Sequence, residues 1–192
     1  MMNSPFYIKE LSEDLNSYEL KSFRIQHDET QIVKYLVKFA KKHQKQLLNK
    51  TFLVRESGSD NLVAFYSLKA ATLPYNEKES SFLIPAIELT RFAVDERYKT
   101  VVVSSSALRI GEFIFWNHIV PGIKKAQEYL ALQDLFVFSI NTPKLIDYYT
   151  NRLGFKEIEY WMTSCSLSMR FQTTMMPVNS CIFLWAEKSC FI

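Results

Sequence analysis

The sequence lacks the patterns that mark membrane and secreted proteins. Its 192 residues contain no uncharged apolar run of the length that a membrane-spanning helix needs, which is about 18 residues. The first residues, MMNSPFYIKELSEDL, mix acidic and polar side chains where a signal peptide would have a basic end and an apolar stretch. We therefore expect a cytoplasmic protein without a membrane contact.

Cysteine is also scarce, and its placement does not suggest a metal site. The three cysteines, Cys165, Cys181 and Cys190, all lie in the last thirty residues, and they show neither CxxC spacing nor a nearby histidine. Their odd number and position indicate buried or idle thiols. We expect no bound metal.

Internal repeats, low-complexity tracts and Gly/Ser linkers are absent as well. With 48% hydrophobic and 22% charged residues, the chain has the composition of an ordinary globular protein. This predicts a single domain over residues 1–192. The net charge of +3 is too small to indicate a nucleic-acid-binding protein by itself.

Apolar spacing predicts a mixed α/β (α+β) fold. Strands are predicted at Thr51–Glu56, Leu62–Leu73, Ile87–Val94 and Leu135–Ile140, and within FKEIEYW and SCIFLWAEK. A first helix is predicted from about Glu29 to Leu48, with Asp28 as its cap. A second begins near Ser105 or Ser106 and reaches a kink or break at Pro121-Gly122, after which the helical pattern resumes. A third is predicted from Thr142 to Leu153. The polar stretches ESGSDN and PYNEKESS are predicted as surface turns. This order favours helices packed on a sheet.

The last predicted helix carries two adjacent tyrosines. Ile146, Tyr149 and Leu153 follow three- and four-residue steps and share one face, whereas Tyr148 lies on the next face. Gly154 provides a left-handed stop after the helix. The spacing therefore predicts that Tyr149 points inward, where it either packs on the sheet or serves a site.

Three stretches resemble the acetyl-CoA-dependent GNAT N-acetyltransferase superfamily. The segment FSINTPKLIDYYTNRLGFKEI is similar to the end of that fold at Asn141, Tyr149, Gly154 and Phe155. IELTRFAVDERYK resembles its central strand. TFLVRESGSDNLVAFYSLKAATL resembles the hairpin of a branch that includes toxins that acetylate aminoacyl-tRNA. The resemblance covers about residues 23–156, so that residues 1–22 form an N-terminal extension and residues 160–192 a tail.

This resemblance implies a GNAT-like fold, in which a central mixed sheet has helices on both faces. It also implies an N-acetyltransferase that moves an acetyl group from acetyl-CoA to a primary amine by direct attack. Tyr149 would be the general acid that protonates the departing thiolate, with Tyr148 as the second choice. Glu88 would take the proton of the amine, or is simply an exposed strand residue.

The resemblance further implies which residues contact the cofactor. The strand residues Phe92, Ala93 and Val94 would supply backbone amides, and Asn141 would lie near the thiol. The family's pyrophosphate loop, Gln/Arg-x-x-Gly-x-Gly/Ala, aligns poorly, because only Gly111 matches it. The aligned residues are Ser106, Arg109, Ile110 and Gly111.

Arg109 leaves two alternatives open at this loop. Its side chain either binds the phosphates in place of the missing glycine or fills the site. The second alternative predicts a non-catalytic binding or regulatory module that keeps the fold.

A row of lysines suggests a further partner. Residues 33–50 contain six lysines and no acidic residue, and one helical face carries Lys34, Lys38, Lys41 and Lys45. Such a row is either a solvated surface or a phosphate-binding ridge for an RNA-borne amine, as in a toxin that acts on aminoacyl-tRNA. The apolar tail completes the sheet, covers the acceptor cleft or pairs two copies into a homodimer. The sequence leaves these alternatives open.

Overall fold

A seven-stranded mixed sheet forms the centre of the protein. The computed structural model describes residues 4–11, 17–26, 28, 31–77, 80–158 and 180–185. The strands are β1 (Phe6–Glu10), β2 (Lys50–Glu56), β3 (Leu62–Glu77), β4 (Ser80–Val94), β7 (Asp134–Ile140), β8 (Lys156–Ile158) and β9 (Ser180–Trp185). Their order is β1-β2-β3-β4-β7-β9-β8. Two further strands, β5 (Val102–Val103) and β6 (Leu108–Arg109), form a separate small hairpin.

Among these strands only β4 and β7 pair in parallel. The predicted hairpin around ESGSDN is confirmed, since β2 and β3 are antiparallel neighbours. The stretch PYNEKESS, which was predicted as a surface turn, is strand up to Glu77 and again from Ser80, so that its described residues belong to the hairpin of β3 and β4. Cross-strand pairing along this long hairpin outweighs the turn propensity of Pro74 and Asn76.

Helices cover both faces of the sheet, as predicted. They are α1 (Ser17–Lys21), α2 (residues 32–45), α3 (residues 110–127) and α4 (residues 143–152). The last three each contain a five-residue π-helical turn, at Tyr35–Phe39, Phe115–Ile119 and Tyr148–Arg152. One apolar cluster joins the sheet to α3 and α4, and a second joins it to α1 and α2.

The predicted helix boundaries were partly correct. The Asp28 carboxylate accepts hydrogen bonds from the amides of Ile32 (2.6 Å) and Val33 (2.9 Å), which confirms that it caps the first amides of α2. The helix begins at Ile32, after Gln31 at the N-cap position, and not near Glu29 as predicted. Gly154 has a φ of 75°, which confirms the left-handed stop after α4.

The predicted start of the second helix, near Ser105 or Ser106, is wrong. Those serines belong to the turn between β5 and β6, and α3 begins at Ile110. The helix also continues through Pro121, which lies just after the π-helical turn Phe115–Ile119.

The two ends of the chain contribute strands to the sheet. Phe6–Glu10 pairs with β2 at one edge, and Ser180–Trp185 lies between β7 and β8. The SCIFLWAEK segment therefore contains the strand that its apolar pattern predicted. The stretch between Ile158 and Ser180 and the residues after Trp185 lie outside the described residues, so the predictions for a cleft cover or a homodimer contact in the tail are not tested there.

Candidate active site

The sheet opens where β4 and β7 part. Their parallel pairing covers only Ala86 to Glu88 on β4, whereas β4 runs on to Val94 and β7 to Ile140. Beyond the last pair, Glu88 with Phe136, the two strands therefore diverge. An opening of this kind exposes backbone hydrogen-bonding groups inside a sheet, where an extended ligand can pair with them.

The register of β4 shows which amides face this opening. The Asp95 amide donates to the Val63 carbonyl on β3 at 2.8 Å, and the same register pairs Ala93 with Phe65. Because N–H direction alternates along a strand, the amide of Ala93 points toward β3 and those of Phe92 and Val94 point away from it. Of the three strand residues that the resemblance implied, two thus present amides to the opening.

A β-bulge at Thr90 sets which side chains lie on each face. The pairing changes from Ser67–Arg91 to Leu68–Leu89, which leaves Thr90 as an extra residue, and its hydroxyl donates to the Ser67 carbonyl at 3.1 Å. After the bulge, Phe92 and Val94 pack with the cluster of α3 and α4. Ala93 packs with the cluster of α1 and α2.

The two tyrosines of α4 have different surroundings. Tyr149 is buried, with its ring 5.6 Å from that of Phe155, which confirms the predicted inward direction. Burial raises the pKa of Tyr149 to about 12, so that its hydroxyl keeps its proton at neutral pH.

Tyr148 reaches across to the start of α3. A Cβ atom placed on Gly111 would lie 2.5 Å from the Tyr148 hydroxyl oxygen and 3.5 Å from a methyl carbon of Val94. The pKa of Tyr148 is raised by burial and by the neighbouring Tyr149 and Glu112, against a smaller opposing effect of Arg109. The glycine that matches the family's loop is thus also the residue that admits this tyrosine.

The loop before α3 is a hairpin with its own hydrogen bonds. The Ile110 amide donates to the Val101 carbonyl at 3.2 Å, and the Arg109 amide donates to the Glu112 carboxylate at 3.3 Å. The next amides, of Gly111 and Glu112, are among those that a helix start leaves without an intrahelical acceptor. The Arg109 side chain is exposed beside them. The Arg109 side chain thus reaches solvent at the helix start, where the buried Glu112 carboxylate places a negative charge.

Two predicted residues lie at the surface. Ser106 is exposed in the turn between β5 and β6, where its hydroxyl accepts from the Leu108 amide at 3.4 Å. Asn141 is exposed just after β7, before the first turn of α4. Asn141 is thus at the open end of β7, whereas Ser106 belongs to the separate hairpin.

Glu88 stands at the point where the strands part. It is buried and forms an ion pair with Lys69, its cross-strand neighbour, at 2.7 Å. The alternative that Glu88 is an exposed strand residue is therefore wrong. Its side chain and that of Ala86, two residues earlier, lie on the same face of β4, away from Ile87 and Leu89.

Sequence reasoning missed three groups at this site: Lys69, Glu112 and Arg91. Arg91 follows the bulge on β4, and its guanidinium carbon lies 5.0 Å from the ring centre of Tyr35. The apolar–polar alternation of IELTRFAV gave no sign of the bulge, so the face of Arg91 was not predictable.

Among the described residues, no cluster of three or more His, Cys, Asp or Glu side chains is suited to a metal ion. Nor does any helix in these ranges have the length and apolar character needed to cross a membrane.

Comparison with known proteins finds a similarity in fold but none in sequence. No protein-family model matches the sequence, and a search of curated proteins finds no match. Solved structures do match. AtaT in complex with acetyl-methionyl-tRNA aligns with a TM-score of 0.64 and 14% identity over 94% of each chain. AtaTR bound with acetyl-CoA aligns with a TM-score of 0.65 and 15% identity, again over 94% of each chain.

A tyrosine-to-phenylalanine mutant of KacT gives a similar result. The TM-score is 0.63 and the identity 16%, over 94% of this chain and 95% of that one. A shared arrangement at such low identity is a statement about fold. The protein therefore has the GNAT fold, in a form that extends over nearly the whole length of these toxin structures.

Proposed function

We propose that the protein is an N-acetyltransferase that transfers an acetyl group from acetyl-CoA to a primary amine. The observation that carries this proposal is the opening between β4 and β7, with amides of Phe92 and Val94 directed into it. The start of α3 and the tyrosines of α4 lie against the same face of β4. Similar structures contain acetyl-CoA, which supports the same cosubstrate here.

The residues of the opening suit an extended thioester. Amides of Phe92 and Val94 would pair with the pantetheine arm, and Asn141 would lie near its thiol end. Gly111 and Ile110 would face the pyrophosphate at the start of α3, with the exposed Arg109 as the cationic ligand and Ser106 at the margin. In this loop a side chain would replace contacts that glycine amides usually make.

The chemistry requires a proton donor and a proton acceptor. The amine nitrogen attacks the thioester carbonyl, the carbon–sulfur bond breaks, and the thiolate takes a proton. We assign this donor to Tyr149, whose raised pKa keeps it protonated, with Tyr148 as the alternative because its hydroxyl reaches Gly111. Glu88 would receive the proton of the amine directly or through water, held in place by Lys69.

An aminoacyl-tRNA is the acceptor class that the surface favours. AtaT has been solved with acetyl-methionyl-tRNA, the product of such a transfer. In this chain the helix α2 contains no acidic residue over residues 32–45, and its exposed side chains include Lys34, Lys38 and Lys45, with Lys41 half-buried beside them. A row of cations of this kind attracts a phosphate backbone. The protein would then act as a toxin on translation.

Calorimetric titration with acetyl-CoA tests the cofactor site. We expect micromolar binding by the wild type and weaker binding by Arg109→Ala, because the guanidinium supplies phosphate contacts. Lys125→Ala, which removes an exposed charge elsewhere on α3, serves as the control. An absence of binding at millimolar acetyl-CoA would contradict the proposal and favour the non-catalytic module.

Release of the CoA thiol in the presence of methionyl-tRNA tests the chemistry. Tyr149→Phe should lower kcat by about 100-fold or more while KM for acetyl-CoA changes little, because only proton transfer is lost. Tyr148→Phe is the matched variant. If Tyr148→Phe shows the larger loss in kcat, the donor is Tyr148, and if neither variant is slower, no tyrosine of α4 is the acid.

A further inference from the structure

Arg91 is a partly buried cation with unused hydrogen-bond donors. Its Nη1 donates to the neighbouring Thr90 carbonyl at 2.5 Å, and its Nε is buried without a partner. None of the described carboxylates forms an ion pair with it. A buried guanidinium nitrogen without a hydrogen-bond partner is unfavourable, so this arrangement favours binding of a negatively charged group that accepts a hydrogen bond.

The position of the guanidinium is fixed by an aromatic ring. Its Cζ lies 5.0 Å from the ring centre of Tyr35, on α2. Tyr35 is buried, and its hydroxyl accepts a hydrogen bond from the Asn49 amide at 2.9 Å. A cation held in one orientation loses little conformational entropy when it binds a ligand.

Apart from Tyr35, the ionisable residues of α2 close to Arg91 are basic. His43 packs on Tyr35 with ring centres 5.6 Å apart, and its pKa is lowered by burial and by the nearby charges of Lys42 and Arg91. The nearest acid on the strand, Glu88, is already paired with Lys69. Together with the lysines of α2, this makes an extended positive surface, which suits a polyanion better than a single carboxylate.

Arg91 lies on the opposite face from the cofactor elements. The bulge at Thr90 places Phe92 and Val94 toward α3 and α4, and it places Arg91 and Ala93 toward α2. Arg91 still belongs to the part of β4 beyond its pairing with β7, at the rim of the opening. A group that reaches the opening from the α2 side would therefore meet Arg91 before the thioester.

We propose that Arg91 binds a phosphate group of a nucleic-acid acceptor and so positions its amine at the opening. The inference rests on the proposed transferase function for the meaning of the site, but binding itself can be measured without transfer. Arg91 is here a positioning residue, and its planar fork would form two hydrogen bonds to phosphate oxygens.

The test is fluorescence anisotropy with a labelled RNA hairpin that ends in CCA, without acetyl-CoA. Arg91→Gln should weaken binding by about tenfold or more and reduce the slope of log K against log salt by about 1. Arg91→Lys, which keeps the charge and most of the packing on Tyr35, should fall between Arg91→Gln and the wild type with its salt slope retained. Lys125→Gln on α3 removes one charge elsewhere and should bind nearly as the wild type does.

The other outcomes overturn the inference. The first is a wild type that does not bind the RNA, and the second is an Arg91→Gln variant that binds it as tightly as Lys125→Gln does. The third is that Arg91→Gln weakens the binding of a polyglutamate peptide of matched charge as much as it weakens the binding of RNA, which would indicate a general anion site. Circular dichroism identifies a variant that fails to fold, in which case the comparison of Arg91→Lys with the wild type decides. If RNA binding depends on Arg91 but no CoA thiol is released, only the proposed function is refuted. If the thiol is released but RNA binding does not depend on Arg91, only this inference is refuted.

Discussion

Replacing Gly111 with alanine is expected to strain the contact between α3 and α4. The new Cβ would lie 2.5 Å from the Tyr148 hydroxyl oxygen, well inside van der Waals contact. Overpacking of this kind costs about 1–3 kcal/mol of unfolding free energy. In the opposite direction, alanine stabilises a helix interior relative to glycine by about 0.5–1 kcal/mol.

Gly122 on the same helix provides the matched control. A Cβ atom at Gly122 would meet nothing within 4 Å, so Gly122→Ala should show only the helix-propensity gain. Gly111→Ala should therefore be less stable than Gly122→Ala by about 1–3 kcal/mol. Both values come from urea denaturation followed by circular dichroism.

A double-mutant cycle with Tyr148→Phe identifies the cause. Removal of the hydroxyl leaves contacts of 3.5 Å to Val94 and 3.6 Å to the ring carbon, which are ordinary distances. In the Tyr148→Phe background, Gly111→Ala should then stabilise the protein as Gly122→Ala does. A coupling free energy below about 0.5 kcal/mol, the usual error of additivity, would refute the reasoning.

Two further predictions concern Asp95 and Gly154. Asp95 is buried; burial raises its pKa, but hydrogen bonds from Arg97 and the Arg24 amide outweigh this and lower it below 3.8. The ionised Asp95 therefore stabilises the folded protein fully above pH 3.8, and this stabilisation is lost as the pH falls further. Asp95→Asn should lower the free energy of unfolding by about 1–3 kcal/mol at pH 7 and by less at pH 3, as measured by urea denaturation. Gly154→Ala should raise the energy of a residue with φ of 75° by about 1–2 kcal/mol, whereas Gly58→Ala in an open turn should change the melting temperature little.

Much of the fold was predictable because its signals are local. The apolar runs that became β2, β7 and β9 are short and bounded by polar residues, and Asp28 and Gly154 mark helix ends through their own backbone geometry. Tyr149 was correctly placed inward because α4 keeps its apolar spacing up to that residue. These features depend on few neighbours in sequence, so a single sequence reveals them.

The remaining features depend on contacts between distant residues. The serines at 104–106 resemble a helix start, and only the pairing of Val102 with Arg109 shows that they form a hairpin turn instead. The bulge at Thr90 is defined by the register with Ser67 and Leu68, so the face of Arg91 followed no pattern in the sequence. The contact of Tyr148 with Gly111 likewise requires the packing of α4 on α3.

The π-helical turn at Tyr148–Arg152 has a consequence for the spacing between the tyrosines and Gly154. A π turn holds one more residue than an α turn between the same two ends, and each residue of a helix accounts for about 100° of rotation. Tyr148 and Tyr149 therefore owe their directions to the number of residues before the glycine as much as to their chemistry. A deletion of one residue from Thr150 to Arg152 would let the turn close as an ordinary α-helix and would rotate both side chains relative to the strand that follows. In this protein the length of a five-residue segment sets how the two phenols are oriented relative to β8.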